Sequence, residues 1–181
     1  IGGNHCPSCF KKGLSTICQD CQFWCKKGVK VDHVALYSYN QAMKEYFSRY
    51  KFDGDYLLRK VFSETLQKEL KKYKDYQIVI VPLSDHRLKS RGFNQVEGLM
   101  KETGLTYLDI LVKKEVEASS SKNRSDRLLT EFPFFLKDGV KPPENILLFD
   151  DIYTTGTTLN RLKSMLLEAG CQNIKTFSLA R

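Results

Sequence analysis

No apolar run in this chain of 181 residues approaches the roughly 20 residues that a membrane-spanning helix requires, so no integral membrane segment is expected. No secretory leader is visible either. That absence argues against reading the six cysteines as the disulfide framework of a secreted domain. The first residue is Ile1 rather than Met, which leaves the native start and any targeting segment before it open. Acidic residues are in deficit, 21 against 29 Lys and Arg, for a net charge of +8. That balance suits an anionic partner, although a basic surface kept for solubility would look the same. Hydrophobic residues make up 41% of the chain, enough for a core. The length accommodates one full α/β domain with a small appendage.

The chain is organised around residues 146–158. Ile146 to Phe149 is an apolar run that follows the breaker Pro142-Pro143, so it reads as a buried strand. Asp150 and Asp151 come next, then Thr154-Thr155-Gly156-Thr157-Thr158, then a helix with Leu159, Leu162, Leu166 and Ala169 along one face and Gly170 as its stop. A short loop before a helix presents backbone amides at the positive end of the helix dipole, which is an anion site. The threonine hydroxyls add donors, and Gly156 lets a phosphate approach the backbone. Two carboxylates at the carboxyl end of the strand can accept hydrogen bonds from vicinal sugar hydroxyls. A ribose 5-phosphate group satisfies both halves. An ordinary helix cap needs one short polar residue, not two acids and four threonines. The stretch resembles the phosphoribosyl pyrophosphate (PRPP) signature of type I phosphoribosyltransferases.

Near the amino terminus, Cys6-Pro7-Ser8-Cys9 and Cys18-Gln19-Asp20-Cys21 form two C-x-x-C knuckles. Cys6, Cys9, Cys18 and Cys21 together supply the four-thiolate set that Zn²⁺ prefers. A segment this short has no core of its own, so metal binding would supply its folding energy. Neither knuckle opens an obvious helix, which disfavours a redox motif. Cys25 reads as a spare thiol, His5 as a neighbour and Cys171 as a small buried residue. Residues 1–30 are therefore expected to form a four-cysteine element and residues 31–181 the main domain, joined by a basic linker.

The main domain opens with a strand from His33 to Tyr39 and a helix from Gln41 to Tyr50. A turn follows at Lys51-Phe52-Asp53-Gly54-Asp55, then one long helix from Tyr56 to about Tyr73. The latter carries Leu58, Phe62, Leu66 and Leu70 on a stripe widened by Leu57 and Val61. Its other face is basic, with Lys68, Lys71 and Lys72. This face is either plain solvation or, with Lys51, a phosphate-contacting surface for nucleic acid. Tyr46, Tyr50 and Phe52 would be its stacking groups. Gln77 to Val81 is a buried strand ended by Pro82. The basic loop Leu83 to Arg91 follows, and Asn94 opens the next helix. In an open α/β sheet such loops lie outside the carboxyl ends of the strands, where ligands bind. Arg87, Lys89 and Arg91 can face a pyrophosphate there, and Gly92 permits a close turn.

Val81-Pro82-Leu83, Arg87-Leu88 and Arg91-Gly92-Phe93-Asn94-Gln95 resemble the signature of the ComF family of competence proteins. The family joins a four-cysteine zinc element to a type I phosphoribosyltransferase-like domain, in the order found here. Lys51 with Gly54-Asp55 resembles its lysine-glycine-aspartate turn. The resemblance implies an α/β fold with a mostly parallel sheet flanked by helices. It implies a role in natural transformation, with single-stranded DNA, a helicase-like uptake translocase and a PRPP-type ligand as partners. It also implies a cytoplasmic location, with recruitment to the inner face of the membrane by the uptake machinery. In residue terms, Asp150 and Asp151 would hold ribose hydroxyls, and Thr154 to Thr158 the 5-phosphate. The loop Leu83 to Arg91 would face the pyrophosphate through Mg²⁺.

Ile110 to Lys114 and Phe132 to Leu136 read as strands flanking a polar stretch from Glu115 to Asp126, either a substrate lid or a surface linker. That stretch departs from the family pattern, with Leu128-Leu129-Thr130 where an asparagine is expected. Asn173 to Leu179 is the expected last strand. Phosphoribosyl transfer needs groups positioned around a cationic transition state and a stabilised leaving charge. The phosphate grips are present, but no general base and no nucleobase hood are recognisable. Three readings stay open: a DNA-uptake accessory protein, an active phosphoribosyltransferase, and a nucleotide-sensing adaptor with a dead site.

Overall fold

The computed structural model describes residues 3–115 and 133–181. Among these, four strands form a parallel sheet in the order β1-β6-β5-β2, with β1 at His33–Tyr37, β2 at Gln77–Ile80, β5 at Asn145–Ile152 and β6 at Asn173–Ala180. Every pairing is parallel, with Ile80 opposite Phe149 and Asp150 opposite Ser178. Ile146 to Phe149 are wholly buried, because a central parallel strand has both faces covered and so reads as a continuous apolar run. The expected α/β architecture with a mostly parallel sheet and an amino-terminal four-cysteine element is what the chain forms. No helix among the described residues is long and apolar enough to cross a membrane.

The two faces of the sheet carry separate cores. On one face, α6 (Thr157–Glu168) buries Leu159, Leu162 and Leu166, the face its spacing predicted. The four cysteines and Trp24 belong to the same core, together with an antiparallel pair, β3 (Leu111–Lys113) and β4 (Phe134–Leu136). The other face is covered by α2 (Gln41–Lys51), α3 (Ser63–Leu70) and α5 (Gln95–Lys101). Asn40 caps α2 by accepting from the Met43 amide at 3.0 Å, and Asn94 caps α5 by accepting from the Val96 amide at 2.9 Å.

Several boundaries differ from the sequence expectation. The long helix 56–73 is broken into a 3₁₀ turn at Tyr56–Lys60 and α3. Phe62 leaves helical geometry to pack its ring 4.9 Å from Tyr46, and Arg59 is drawn to Glu102 at 2.6 Å. Leu57 and Val61 are consequently exposed instead of widening the buried stripe. The loop after β2 contains a helix, α4 (Asp85–Arg91), which buries no residue and therefore leaves no hydrophobic period to read. The second cysteine knuckle does open a helix, α1 (Gln19–Lys26), with Cys18 at its cap and only Cys21 and Trp24 buried. The expected features within 116–132, including most of the polar stretch and Phe132, lie outside the described residues.

Candidate ligand site at the carboxyl end of the sheet

Strand β5 continues through both acids because Asp150 still pairs with Ser178 of β6. Adjacent strand residues point to opposite faces, so the two side chains leave the strand toward different neighbours, but at the strand end their carboxyl groups stay close enough to share a hydrogen bond. Asp150 lines a pocket with Ile152, Tyr153 and the whole of the Thr154–Leu159 stretch. Asp151 is buried and ion-paired with Lys51. The amide of Asp151 donates to Asp150 Oδ1 at 2.8 Å. Burial, reinforced by the negative charge of Asp151, pushes the Asp150 carboxyl well above the usual carboxylate range. The structure thus brings Asp150, Thr154, Thr155, Gly156, Thr157 and Thr158 together. It gives Asp151 a protein partner.

The loop Thr154 to Thr158 rests on an aromatic stack. Gly156 takes φ 79° as it enters α6, and a Cβ there would lie 2.1 Å from Tyr153 Oη. Glycine is required twice over, by the left-handed backbone and by the hydroxyl beneath it. Tyr153 Oη accepts from Asn160 Nδ2 at 3.1 Å. The Tyr153 ring stacks on His33 with centroids 3.9 Å apart and carries the Arg181 guanidinium 4.6 Å from its centroid on the other face. His33 is held between Thr176 Oγ1 and Ser178 Oγ, each at 3.0 Å. Its burial, with the nearby Arg181 charge, drives its pKa well below the ordinary histidine value and keeps it neutral. On the loop surface, the exposed Thr155 and Thr157 hydroxyls bond each other at 2.9 Å.

After β2, α4 presents Arg87 and Lys89 to solvent and half-buries Arg91. Arg87, Arg91, His86, Ser90, Lys51 and Phe52 line a cavity of about 430 Å³. Phe52 is 75% exposed, with the Arg91 guanidinium 5.6 Å from its ring. Most of the Arg91-Gly92-Phe93-Asn94-Gln95 run is structural. Gly92 ends α4 at φ 81°, Phe93 packs 4.8 Å from Tyr56, Asn94 caps α5, and Gln95 accepts from Arg91.

The expected nucleic-acid face is not one surface. Lys51 is tucked over the Phe47 ring at 4.5 Å, and its side chain is 13% exposed beside Asp151. Lys68, Lys71 and Lys72 are exposed around the end of α3, just before β2 begins, and so at the opposite end of the sheet from the pocket. Lys72 is paired with Glu69 at 2.6 Å. Tyr50 is fully buried and Tyr46 half-buried, which leaves Phe52 as the exposed member of the three proposed stacking rings.

The four cysteine sulfurs Cys6, Cys9, Cys18 and Cys21 lie within 4.8 Å of one another and are all buried. His5 is outside the cluster, its ring stacked on Phe10 at 4.3 Å, and Cys25 is exposed. Burial raises the Cys9 thiol to about 12 and pushes Cys21 up as well. Four thiolates this close therefore need a cation, and a soft, tetrahedral donor set of this kind fits a metal ion. The Cys18 amide donates to Cys6 Sγ at 3.4 Å, the usual support for a ligating sulfur.

No protein-family model matches the chain. Sequence comparison is decisive: the chain is 64% identical over 181 residues to competence protein ComFC of Streptococcus pneumoniae, covering all of this chain and 82% of that protein. The chain belongs to the ComFC family of competence proteins. Within that family it is 33% identical over 190 residues to ComFC of Bacillus subtilis, covering all of this chain and 79% of that protein. It is 26% identical over 194 residues to competence protein F of Haemophilus influenzae, covering 98% and 78% of the two chains. Among solved structures, a hypoxanthine phosphoribosyltransferase from Staphylococcus aureus aligns with a TM-score of 0.36 and 18% identity, over 71% of this chain and 64% of that one.

Sequence reasoning missed four residues at this site. Tyr153 stands within the 146–158 stretch but was given no role there, Arg181 falls in no motif, and Trp24 could have been noticed only as the single tryptophan, set inside the cysteine element. Lys113 of β3 is half-buried, with its backbone bridged to Ser84 and its ammonium 5.1 Å from the Phe134 ring. Burial, aided by the Arg87 charge and opposed by Asp150, lowers its pKa. Its alternation along a three-residue strand offered no signal.

Proposed function

We propose that this chain serves DNA uptake in natural transformation, binding a PRPP-type ligand with Mg²⁺ at the Asp150 pocket. One observation carries the reading: Asp150 and the loop 153–159 line a single pocket at the start of α6, where helix amides and hydroxyls meet a carboxylate. Asp150 would hold the ribose hydroxyls, Thr154 to Thr158 the 5-phosphate, and Arg87, Lys89 and Arg91 the pyrophosphate with its Mg²⁺. Zn²⁺ is the metal the four cysteines suit best. The uptake translocase of the competence machinery is the protein partner of this reading.

The raised pKa of Asp150 makes the ligand test specific. An acid whose folded pKa is raised contributes stability below the ordinary carboxylate range and loses it as pH climbs through the folded value. Sugar hydroxyls and Mg²⁺ favour the ionised form, so PRPP with Mg²⁺ should displace a proton and bind more tightly as pH rises through that value. Titration calorimetry in two buffers of different ionisation enthalpy measures this directly. Equal heats in both buffers would remove Asp150 from the ligand, and no heat at all would remove the ligand from the proposal.

Single-stranded DNA is best placed at the same end of the sheet, where Phe52 offers a ring beside Arg91 and Arg87. Phe52→Ala is expected to weaken oligonucleotide binding by about 1–3 kcal/mol, the usual value of one stacked base. Triple replacement of Lys68, Lys71 and Lys72 by Ala should have the smaller effect. Affinity should fall steeply with salt. Fluorescence anisotropy over a salt series checks all three, and the reverse ranking of the two variants would move the DNA to the far face.

A further inference from the structure

The four-cysteine element touches the phosphate loop through two side chains. Trp24 of α1 donates its indole N–H to the Thr155 carbonyl at 3.1 Å. Arg181, the last residue of the chain, donates through Nη1 to the Thr154 carbonyl. Its Nη2 reaches Asp20 Oδ2 at 3.2 Å and Cys18 Sγ at 3.8 Å. The side chain of Arg181 is 4% exposed, and its guanidinium lies on Tyr153. A desolvated guanidinium keeps its place only where acceptors surround it. Here those acceptors come from the cysteine element on one side and the loop backbone on the other.

We propose that Trp24 and Arg181 are positioning residues that couple the state of the four-cysteine metal site to the phosphate loop, so that the loop takes its binding geometry only when the metal is in place. Two successive loop carbonyls, those of Thr154 and Thr155, are held toward Arg181 and α1, so the amides that follow them across each planar peptide point away from those two residues. Cys18 is both a member of the sulfur cluster and a neighbour of Arg181. Coupling of this kind is reciprocal: whatever anion fills the loop will hold the metal more firmly. The inference rests on the proposed PRPP-type ligand for its consequence, but not for its test.

The test is amide hydrogen exchange of residues 153–158 in the zinc-loaded full chain, compared with Trp24→Phe and Arg181→Met. Both variants are expected to keep one zinc per chain and to exchange about tenfold faster in that segment alone. Unchanged exchange in both would overturn the proposal. Should either variant lose its zinc, the wild-type chain titrated with a chelator decides through the same segment. Protection lost in step with zinc sustains the coupling, and zinc lost with protection intact refutes it. PRPP with Mg²⁺ then reads the consequence: about tenfold weaker binding by the variants is expected. A wild-type chain that shows coupled exchange but binds no PRPP would sink the proposed ligand and leave the coupling standing.

Discussion

Cys9→Ser is expected to abolish metal binding at the four-cysteine cluster and to lower the melting temperature by about 8–16 °C. Cys9 is completely buried within the core that also holds Trp24, Leu159, Leu162 and Leu166. The cysteine element is therefore part of the main core and does not hang from it. Structural zinc contributes on the order of 10 kcal/mol to the folding of isolated zinc elements. Even if only about 4 kcal/mol of that is felt here, the shift for a chain of this size is roughly 8–16 °C. Cys25→Ser is the control, since Cys25 is exposed and outside the cluster. Metal content measured beside thermal unfolding checks the expectation. An unchanged melting temperature in metal-free Cys9→Ser would mean that the sulfurs pack without needing the ion.

Gly156→Ala should abolish ligand binding while leaving the chain folded. The added methyl would sit 2.1 Å from Tyr153 Oη, 2.4 Å from Tyr153 Cζ and 2.6 Å from Asn160 Nδ2. None of these can move freely. Tyr153 is clamped between His33 and Arg181, and Asn160 is buried in α6. The left-handed backbone adds its own penalty. Overpacking and a disfavoured φ together cost about 2–4 kcal/mol, which urea denaturation can measure. The loop must yield, and with it its backbone amides, so affinity for PRPP should fall more than a hundredfold. Thr155→Ser keeps the hydroxyl and should stay within a few-fold of wild type. Equal affinity in Gly156→Ala and wild type would show that the ligand does not use this loop.

The different partners of Asp150 and Asp151 recast the acid pair. Replacing Lys51 would strand a buried carboxylate, and replacing Asp151 would strand a buried ammonium. Either loss is a stability effect before it is a binding effect. The same pair takes Lys51 away from the basic surface to which its position in a lysine-rich sequence seemed to assign it.

Much of the fold was legible in the chain itself. Ile146 to Phe149 announced the central strand because a strand covered on both faces is apolar at every position. Leu159, Leu162 and Leu166 announced α6 because burial of one helical face imposes that spacing. The cysteine spacing announced the four-sulfur cluster, because a metal site needs its residue types close together in sequence. What escaped was everything set by long-range contact. Helix α4 buries nothing, so it left no pattern. The break before α3 follows from Phe62 and Arg59 finding partners elsewhere. Trp24 and Thr155, or Arg181 and Cys18, are separated by most of the chain and carry no shared motif. Local sequence determined which groups the protein would use. Only the tertiary structure decided that Asp150 faces the pocket while Asp151 faces Lys51, and that the cysteine element braces the phosphate loop, because those outcomes depend on which surfaces the packed sheet brings into contact.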